Sequence, residues 1–590
     1  MNLELKYKDL NPVESIKKFK EILFEFGIEL NENWLPKSSI NTYSVRLTLK
    51  DNNLVGTNGK GVTRDLALAS AYGEFFERWQ NKFLAIDYKR ISNNYRFFYD
   101  EKYISADQLL EQEDGITKLI IDGKLSKDKA IELYNKKLSY YSENGKYLCT
   151  PFLNLTKNKT EYLPIKFIRN TYGSNGMCSG NNPYEALVQG ISEIFERKSI
   201  YMALNGKKFK DIDINLIFNN KDLLQMYELI DKSKIKVIFK DCSLLDSCKV
   251  VCGIFIDKEN GTYGINFGAH PDFRIAISRV LTEATQGQDI YKFAQNSTLD
   301  FNNKKVRKMY NFYNVHALSR GDYPYQFLIS SKNDKKNIFC NEVFDNKELF
   351  FNIITELTKK GFEVYIKDVS VTEIPAYHII IPGMSELVEY NSEYQKIINT
   401  KFYVNTKLSK TSELKKDDVK YIKFVLSHFL NYFAYRKLNT YYNRRDNYKY
   451  FLEDENLDAL FLLGLCHLYL KEFSRAEKIF NKIKNKIKDE KSFKIITILI
   501  SYSQLRIKKN YDETISIIDQ IFEGIPEFLL ENKDDNFINY FIPDDIDLDK
   551  SKSKELIHKL YNSKYIEDEI NGGQKSNERK IKELFDYNNY

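Results

Sequence analysis

Two pairs of glutamates have the residue type and spacing needed for chemistry in this sequence. Glu74 and Glu77, like Glu193 and Glu196, are three residues apart, so each pair projects from one face of a helix. If the two faces meet, four carboxylates converge, and such a cluster is costly unless hard cations lie between its members. Magnesium bridging to phosphate oxygens would neutralise the cluster. The pairs therefore indicate metal-assisted phosphate chemistry.

The two pairs lie in segments that repeat one another. Residues 61–78 align without a gap on residues 180–197, at a constant offset of 119, and Gly, Ala, Glu, Phe, Glu and Arg coincide. A fainter third copy carries Ala276, Arg279 and Glu283 at the matching positions. One Glu-x-x-Glu-Arg motif is usually a solvated helical face with local ion pairs. Its duplication in register favours a functional site, built from helices of one plan.

Loops rich in glycine and asparagine precede both helices, at residues 56–61 and 173–181. Glycine lets backbone N–H groups approach a phosphate closely, and a helix N-terminus adds a favourable dipole for an anion. The loops are not Walker motifs, because the sequence contains no Gly-x-x-x-x-Gly-Lys-Ser/Thr. Arg78 and Arg197 each follow the second glutamate of a pair, where they could pair with a carboxylate or bind a phosphate.

These segments resemble the signatures of YcaO proteins. The resemblance is carried by residues 58–61 with 69–78, 174–177 with 193–197, and 267–273 with 282–283. It covers essentially the whole chain, including a helical tail. Length and tail are similar to the stand-alone branch of the family, whose members assist the methylthiolation of a ribosomal protein by a RimO-type radical methylthiotransferase.

The resemblance implies ATP and Mg²⁺ as cofactors and implies roles for particular residues. By this resemblance the magnesium ligands are Glu74, Glu77, Glu193 and Glu196. The residues implied to contact ATP are Lys8, Ser15, Ser70, Asn181, Gln189, Arg197, Arg279 and Glu283. Arg197 and Arg279 would contact phosphate, and Glu283 would be a further acidic group. Lys8 and Ser15, in an N-terminal segment that also resembles the family, would close over the nucleotide.

The chemistry implied by the resemblance is the activation of an amide. The amide oxygen attacks ATP, and the phosphorylated intermediate loses phosphate after a nucleophile has added to the carbon. Phosphoryl transfer needs mainly positioning and charge neutralisation. The sequence offers no nucleophile-base pair, so we assign no catalytic residue. Of the six histidines, only His270 lies near the proposed site.

Three functions stay open at this point. The first is an ATP-dependent enzyme or accessory factor that acts on a protein target, in ribosomal-protein methylthiolation. The second is the formation of an azoline or thioamide in a small ribosomally made peptide. We expect the first, because the chain lacks both the proline-rich C-terminus of azoline-forming members and extra N-terminal length for a peptide-binding module. The third is a non-catalytic scaffold with a vestigial nucleotide site, against which the intact carboxylates argue.

The pattern of the 590 residues predicts two domains. Strand-like alternations interleave with amphipathic helices as far as about residue 390, which indicates an α/β (α+β) class with a mixed sheet. We expect an ATP- and Mg²⁺-binding domain at 1–400, with its core at about 56–390, and an all-α domain at 401–590. Within the run 249–256, Cys252 is typical of a buried strand rather than of a metal site.

The helical tail carries a tetratricopeptide-like signature. Its positions are Leu460, Leu463, Gly464, Phe473, Ala476 and Phe480, with a weaker copy through Tyr502, Tyr511 and Ile518. A generic helical bundle is the alternative. Such hairpins cannot bury both apolar faces alone, so we expect a homodimer through this domain. Tyr432, Phe433 and Tyr435 are the candidates for the partner surface.

The charge balance gives no reason to expect a nucleic-acid or membrane partner. The net charge is +7, from 89 basic and 82 acidic residues, and the two signs look interspersed along the chain. Seven cysteines without paired metal-ligand spacing indicate reduced thiols that pack in the interior. The sequence has no apolar run long enough to be a secretory signal or to span a bilayer, so we expect a cytoplasmic protein.

Overall fold

The chain divides into two compact units. The computed structural model describes residues 3–84, 97–121, 123, 125–213, 220–231, 234–302, 306, 309–329, 335–336, 345–387, 400, 403–404, 407–408, 410–434, 455–487, 489–531, 537–542, 552–574 and 584. The first unit comprises residues 1–86, 93–394 and 557–590. The second comprises residues 395–556, with 87–92.

Strands and helices alternate through the first unit, as the sequence predicts. The strands are β1 (Leu30–Trp34), β2 (Tyr43–Leu49), β3 (Asn52–Gly61), β4 (Lys102–Ser105), β5 (Ser142–Glu143), β6 (Lys146–Asn154), β7 (Lys159–Pro164), β8 (Met177–Ser179), β9 (Lys210–Ile212), β10 (Ile235–Asp241), β11 (Lys249–Asp257), β12 (Thr262–His270), β13 (Ser297–Thr298), β14 (Lys335–Lys336), β15 (Tyr365–Asp368) and β16 (Ala376–Ile380). The helices up to residue 359 are α1 (Pro12–Glu25), α2 (Arg64–Gln80), α3 (Ala106–Leu110), α4 (Gly115–Ile120), α5 (Lys127–Leu138), α6 (Ile165–Tyr172), α7 (Pro183–Leu204), α8 (Lys221–Asp231), α9 (Phe273–Ala284), α10 (Ile290–Phe293), α11 (Met309–Leu318), α12 (Tyr325–Leu328) and α13 (Asn346–Lys359).

The described strands form three sheets. Their orders are β1-β2-β3, then β13-β12-β11-β10-β9-β14, and then β4-β6-β15-β16-β8 with β5 and β7 also paired to β6. Within the described strands, the pairings are antiparallel except that of β14 with β9, which is parallel. The α/β (α+β) class with mixed sheets is therefore confirmed.

Strand β11 shows why its sequence lacks polar alternation. Val250, Cys252 and Ile254 belong to one hydrophobic cluster together with residues of α7. Val251 and Phe255 belong to a second cluster together with residues of α9. Both faces of the strand are covered by helices, and a strand covered on both faces is continuously apolar. Cys252 packs in this core, as the sequence predicts for a buried strand.

The chain returns to the first unit at its C-terminal end. The helices near this end are α21 (Lys552–Leu560) and α22 (Ser563–Gln574), and residues from 557 onward belong to the first unit. The indole Nε1 of Trp79 donates to the carbonyl of Leu560 at 2.8 Å, and Lys82 pairs with Glu569 at 2.7 Å. The helical unit therefore ends at residue 556 rather than at the expected 590, because the segment that follows contacts Trp79 and Lys82 of the first unit.

The second unit is helical throughout its described residues. Its helices are α14 (Lys416–Ala434), α15 (Glu455–Tyr469), α16 (Phe473–Lys484), α17 (Glu490–Arg506), α18 (Tyr511–Phe522), α19 (Glu527–Leu530) and α20 (Phe537–Phe541). A Cβ atom on Gly464 would lie 2.5 Å from the ring of Phe480, so only glycine fits where α15 crosses α16. Leu463 is also buried in this core. The tetratricopeptide-like character and the homodimer stay predictions.

The three aromatic residues predicted for the partner surface lie where the structure describes no side chains. Tyr435 lies outside the described residues, as do the side chains of Tyr432 and Phe433. Among the helices that the structure describes, none is both long enough and apolar enough to cross a bilayer.

Candidate functional site

The repeat in the sequence is also a repeat in the structure. The starts of α2, α7 and α9 are 119 and 209 residues apart, the same offsets that relate the three sequence copies. The residue before each helix is Thr63, Asn182 or Asp272, and its side chain accepts a hydrogen bond from a backbone N–H of the first turn. The prediction of three helices on one plan is confirmed.

Glycines before these helices are required by packing. A Cβ atom on Gly61 would lie 2.6 Å from the backbone nitrogen of Ala67, and one on Gly180 would lie 2.7 Å from that of Ala186. In the third copy, a Cβ atom on Gly268 would lie 2.4 Å from a backbone oxygen of α9. No side chain fits at these contacts between backbone segments. Close packing of the preceding backbone against each helix is therefore sufficient to explain these glycines, for which the sequence suggested a role in phosphate binding.

The glutamate pairs of α2 and α7 lie close enough to affect one another's ionisation. Burial raises the pKa of Glu77 well above its ordinary value, and the charges of Glu193 and Glu74 raise it further, while Arg78 opposes the rise. Burial likewise raises the pKa of Glu196, and Glu193 adds to that rise. One carboxylate oxygen of Glu77, Oε1, is buried and accepts no hydrogen bond from the described residues. The two glutamate faces therefore meet at a partly buried, negatively charged place.

Lys60 lies among these carboxylates and was not singled out by the sequence. Its ammonium group forms an ion pair with Glu283 of α9. Burial lowers the pKa of Lys60 to about 8, against the opposing attraction of Glu196 and Glu74, and the charge of Arg279 lowers it further. Lys60 of β3 thus places a positive charge beside acidic groups of all three related helices, α2, α7 and α9.

The predicted phosphate-binding arginines hold defined positions beside the carboxylates. Arg279 donates to the carbonyl of Ala269 at 2.6 Å and to the side-chain oxygen of Gln189 at 2.5 Å. Arg197 donates to the carbonyl of His316 at 2.8 Å and lies 3.6 Å from a carboxylate oxygen of Glu193. Gln189 and Arg279, which come from α7 and α9, are thereby brought together. Neighbouring cations also lower the cost of gathering the glutamates.

The N-terminal segment reaches the start of α7. Lys8 donates to one oxygen of Glu185 at 2.8 Å, and the hydroxyl of Ser15 donates to the side-chain oxygen of Asn181 at 2.8 Å. Asn181 in turn donates to the other oxygen of Glu185 at 2.9 Å. These bonds join Lys8, Ser15 and Asn181 in one cluster. Glu185 is the group that organises it and was missed, because it lies outside the repeated Glu-x-x-Glu motif.

Ser70 and His270 complete the set of predicted positions. Ser70 is exposed on α2. His270 accepts a hydrogen bond at Nδ1 from the backbone N–H of Asp272, and burial, together with the charge of Arg279, holds its pKa well below its usual range. His270 is therefore neutral at the end of β12. A neutral imidazole whose Nδ1 is already occupied in this way adds no nucleophile-base pair to the site.

The residues present fit a magnesium-bound phosphate ligand in the chemistry of their donors. Hard carboxylate oxygens are the donors that Mg²⁺ prefers, and the buried Oε1 of Glu77 accepts no hydrogen bond from the described residues. No group of three His, Cys, Asp or Glu side chains in the described part of the chain is already arranged as a metal site. Ion pairs instead hold the glutamates, as in the 3.3 Å approach of Arg78 to Glu77.

Comparison with known proteins identifies the family. Residues 58–385 match the family described as "YcaO cyclodehydratase, ATP- and Mg²⁺-binding". A ribosomal protein S12 methylthiotransferase accessory factor, YcaO of Escherichia coli, is 30% identical over 394 residues, which cover 64% of this chain and 66% of that protein. An uncharacterized protein of Haemophilus influenzae is 30% identical over 401 residues, with the same shares. The match therefore spans just under two thirds of the length of these relatives.

The likeness to solved structures is weaker. A heterocyclase in complex with substrate and cofactor has a TM-score of 0.46 at 16% identity, covering 64% of this chain and 53% of its own. The YcaO protein of Methanopyrus kandleri bound with AMPPCP and Mg²⁺ has a TM-score of 0.42 at 16% identity, covering 65% and 93%. The match of the sequence to the family covers more than half of the chain and includes the two glutamate helices and Lys60. The chain therefore belongs to the YcaO family of ATP- and Mg²⁺-binding proteins.

Proposed function

We propose that this chain binds MgATP between α2, α7 and α9 and uses it to activate an amide carbonyl of a protein. The observation that carries the proposal is the pair of in-register glutamate faces whose charges raise the pKa of Glu77. Glu74, Glu77, Glu193 and Glu196 would hold Mg²⁺. Arg197 and Arg279 would contact phosphate, with Gln189, Asn181, Ser70 and Glu283 around them.

The chain's own residues would contribute positioning and charge. Bound MgATP supplies the phosphoryl group and the cationic charge that draws electrons from it. Gln189 holds the guanidinium of Arg279, and the carbonyl of His316 holds that of Arg197, so both cations are oriented before a ligand arrives. Lys8 and Ser15 tie the N-terminal segment to the start of α7, where they would restrict water above the nucleotide. No residue is assigned a covalent role.

The target we propose is a ribosomal protein. This rests on the relative from Escherichia coli, which is named as an accessory factor for the methylthiotransferase of ribosomal protein S12. A RimO-type radical methylthiotransferase would be the partner that carries out the methylthiolation. We also propose that the chain acts as a homodimer through its second unit, since helical hairpins leave apolar faces to cover.

Two measurements test the nucleotide and target parts separately. Calorimetry should detect ATP binding only with a divalent cation, because the carboxylates repel uncomplexed phosphates. Equal affinity in the presence of a chelator would contradict the metal site. Mass spectrometry of ribosomal proteins from a deletion strain should show loss of a methylthio group from one of them, restored by the wild-type gene. Full modification in the deletion strain, or an azoline or thioamide change in a peptide instead, would contradict the proposed target.

A further inference from the structure

The second unit contains a strongly basic segment that the net charge of the whole chain does not reveal. Residues 471–510 contain twelve Lys and Arg against four Asp and Glu, a net charge of +8, whereas the entire chain carries +7. The expectation of interspersed signs does not hold here. The next forty residues, 511–550, contain twelve acidic and two basic residues. The chain therefore separates its charge within one helical unit.

The structure places the basic side chains on one pair of helices. Lys478 and Lys482 are exposed and lie one turn apart on α16, and exposed Lys486 continues their spacing just beyond its end. Exposed Lys491 and Lys494 occupy the first turns of α17. We call these five lysines the basic surface.

An exposed aromatic ring lies within the basic surface. Phe493 is 44% exposed between Lys491 and Lys494 in the sequence, although it is a large apolar side chain. The ammonium group of Lys484, near the end of α16, lies 4.8 Å from the centroid of its ring. This contact connects the end of α16 to the start of α17. Packing within the second unit does not explain why this ring is exposed among lysines.

The basic surface is not neutralised by the described residues. None of its five lysines forms an ion pair with a residue that the structure describes. The acidic residues described after position 510 reach this segment through a 3.8 Å pair between Lys509 and Glu513, outside the surface itself. Like charges one turn apart on a helix repel each other. The fold therefore keeps a repulsion that a polyanion would relieve.

We propose that the basic surface binds an unpaired strand of nucleic acid, with its lysines on successive phosphates and the ring of Phe493 stacked on a base. Lysine is a compact charge that suits phosphate contacts without sequence reading. Stacking of unpaired bases on aromatic rings is the usual companion of such contacts. An acidic protein would match the charge but would give no role to an exposed ring. The proposal does not depend on the nucleotide site.

Fluorescence anisotropy of the full chain with labelled oligouridylate and oligothymidylate tests the proposal. The variant carries K482E, K486E, K491E and K494E together, and a second variant carries glutamine at the same positions in case charge reversal disturbs the hairpin. The matched control carries K129E, K136E, K146E and K159E. These four lysines are exposed in the first unit and form no ion pair with a described residue. The unit's helical content and MgATP affinity are measured in parallel.

The expected result has three parts. Wild-type affinity should fall with salt at a logarithmic slope of about −3 to −4, as expected for five phosphate contacts to a single strand. Both surface variants should lose at least about tenfold in affinity, and F493A at least about fivefold, while the control stays within about twofold. Tighter binding of uridylate than thymidylate would identify the strand as RNA, and the reverse as DNA.

Two results would overturn the proposal. One is an equal loss of affinity in the control, which would mean that only net charge matters. The other is binding of polyglutamate as tight as that of either oligonucleotide, together with no effect of F493A, which would make the surface a site for an acidic protein. If the wild-type protein does not bind MgATP, that result contradicts the proposed nucleotide site. It does not affect the test of the basic surface.

Discussion

The glutamate site of the first unit and the basic surface of the second unit build charge in opposite ways. In the first, charges from positions 60 to 283 converge, both signs are present, and each group lies against opposite charges. In the second, the five lysines of the basic surface lie within one short stretch of the sequence and are exposed. A site of the first kind exists only when the fold is complete, whereas one of the second kind follows from local helices.

Trp79→Ala should be the most damaging change and should affect only the first unit. Trp79 is fully buried and contacts the rings of Phe26, Phe75, Phe76 and Tyr565. We expect a loss of about 3–5 kcal/mol in the free energy of unfolding of that unit, because a large cavity forms and the bond to Leu560 is lost. Urea denaturation measures the loss of stability, and calorimetry measures MgATP binding by the variant. Persistence of nucleotide binding at wild-type stability would show that the C-terminal segment is not required there.

Glu77→Gln and Glu196→Gln should each weaken MgATP binding at least about 100-fold, which corresponds to about 2.7 kcal/mol. Each change keeps the shape of the side chain and removes a ligand charge. Calorimetry with excess Mg²⁺ measures the affinity. Glu132→Gln is the control, since Glu132 is exposed on α5. Wild-type affinity in both variants would return the paired glutamates to a structural role.

Gly464→Ala should destabilise the second unit and spare the first. The new Cβ atom would approach the ring of Phe480 to 2.5 Å, and overpacking of this kind costs about 1–3 kcal/mol. Gly73→Ala is the matched control, because a Cβ atom there would have its nearest neighbour at 3.9 Å. Hydrogen exchange resolved by segment distinguishes the units. Equal protection of α15 and α16 in variant and wild type would contradict the predicted clash.

Lys60→Met should strengthen the binding of Mn²⁺ in the absence of nucleotide. Lys60 neutralises part of the charge of Glu74, Glu196 and Glu283, so its removal leaves more negative charge for a cation. We expect about a tenfold gain, or about 1.4 kcal/mol, from electron paramagnetic resonance titration of free Mn²⁺. Lys50→Met, at an exposed pair with Glu29, should change nothing. An unaltered or weaker Mn²⁺ affinity in the Lys60 variant would place this lysine away from the cation.

Between about pH 5 and 7.5, the stability of the metal-free wild type should fall relative to that of the Glu77→Gln variant as pH rises. Burial raises the pKa of Glu77 and of Glu196 in the folded state, so the folded chain holds more protons than the unfolded chain. That contribution is complete below the unfolded pKa and is lost as pH rises through the folded values. Lys60, with a pKa of about 8, acts above this range. Urea denaturation in chelator at several pH values measures the difference; parallel curves would contradict it.

Much of the site could be predicted because the sequence repeats its local signals. A capping residue, a close-packed alanine and a glutamate pair recur at fixed offsets, and each signal acts within one helix. Lys60 could not be predicted in this way. Its partner Glu283 is distant in sequence, and nothing around a lysine after a glycine distinguishes it from a solvated one. The preceding glycines were linked to phosphate because loop composition does not reveal which backbone will pack against them.

The fold class also followed from local patterns, whereas the assignment of the chain's end did not. Alternation and apolar runs predict strands, and β11 shows how burial on both faces removes the alternation. The helix α22 is amphipathic like its neighbours in sequence, and amphipathicity does not say which core a helix covers. That choice depends on Trp79, whose ring lies 5.5 Å from the ring of Tyr565 in α22.

The return of the C-terminal segment to Trp79 has a consequence for synthesis. A growing polypeptide leaves the ribosome in order, so α2 emerges long before the residues that complete its core. The first unit must wait with an exposed indole surface while nearly five hundred residues are translated, and loop closure over that distance adds an entropic cost. The second unit, built from neighbouring helices, can form during that wait. A chain that stops before residue 557 would therefore display an unfinished first unit to chaperones and proteases, and synthesis of residues 557–590 is the event that completes it.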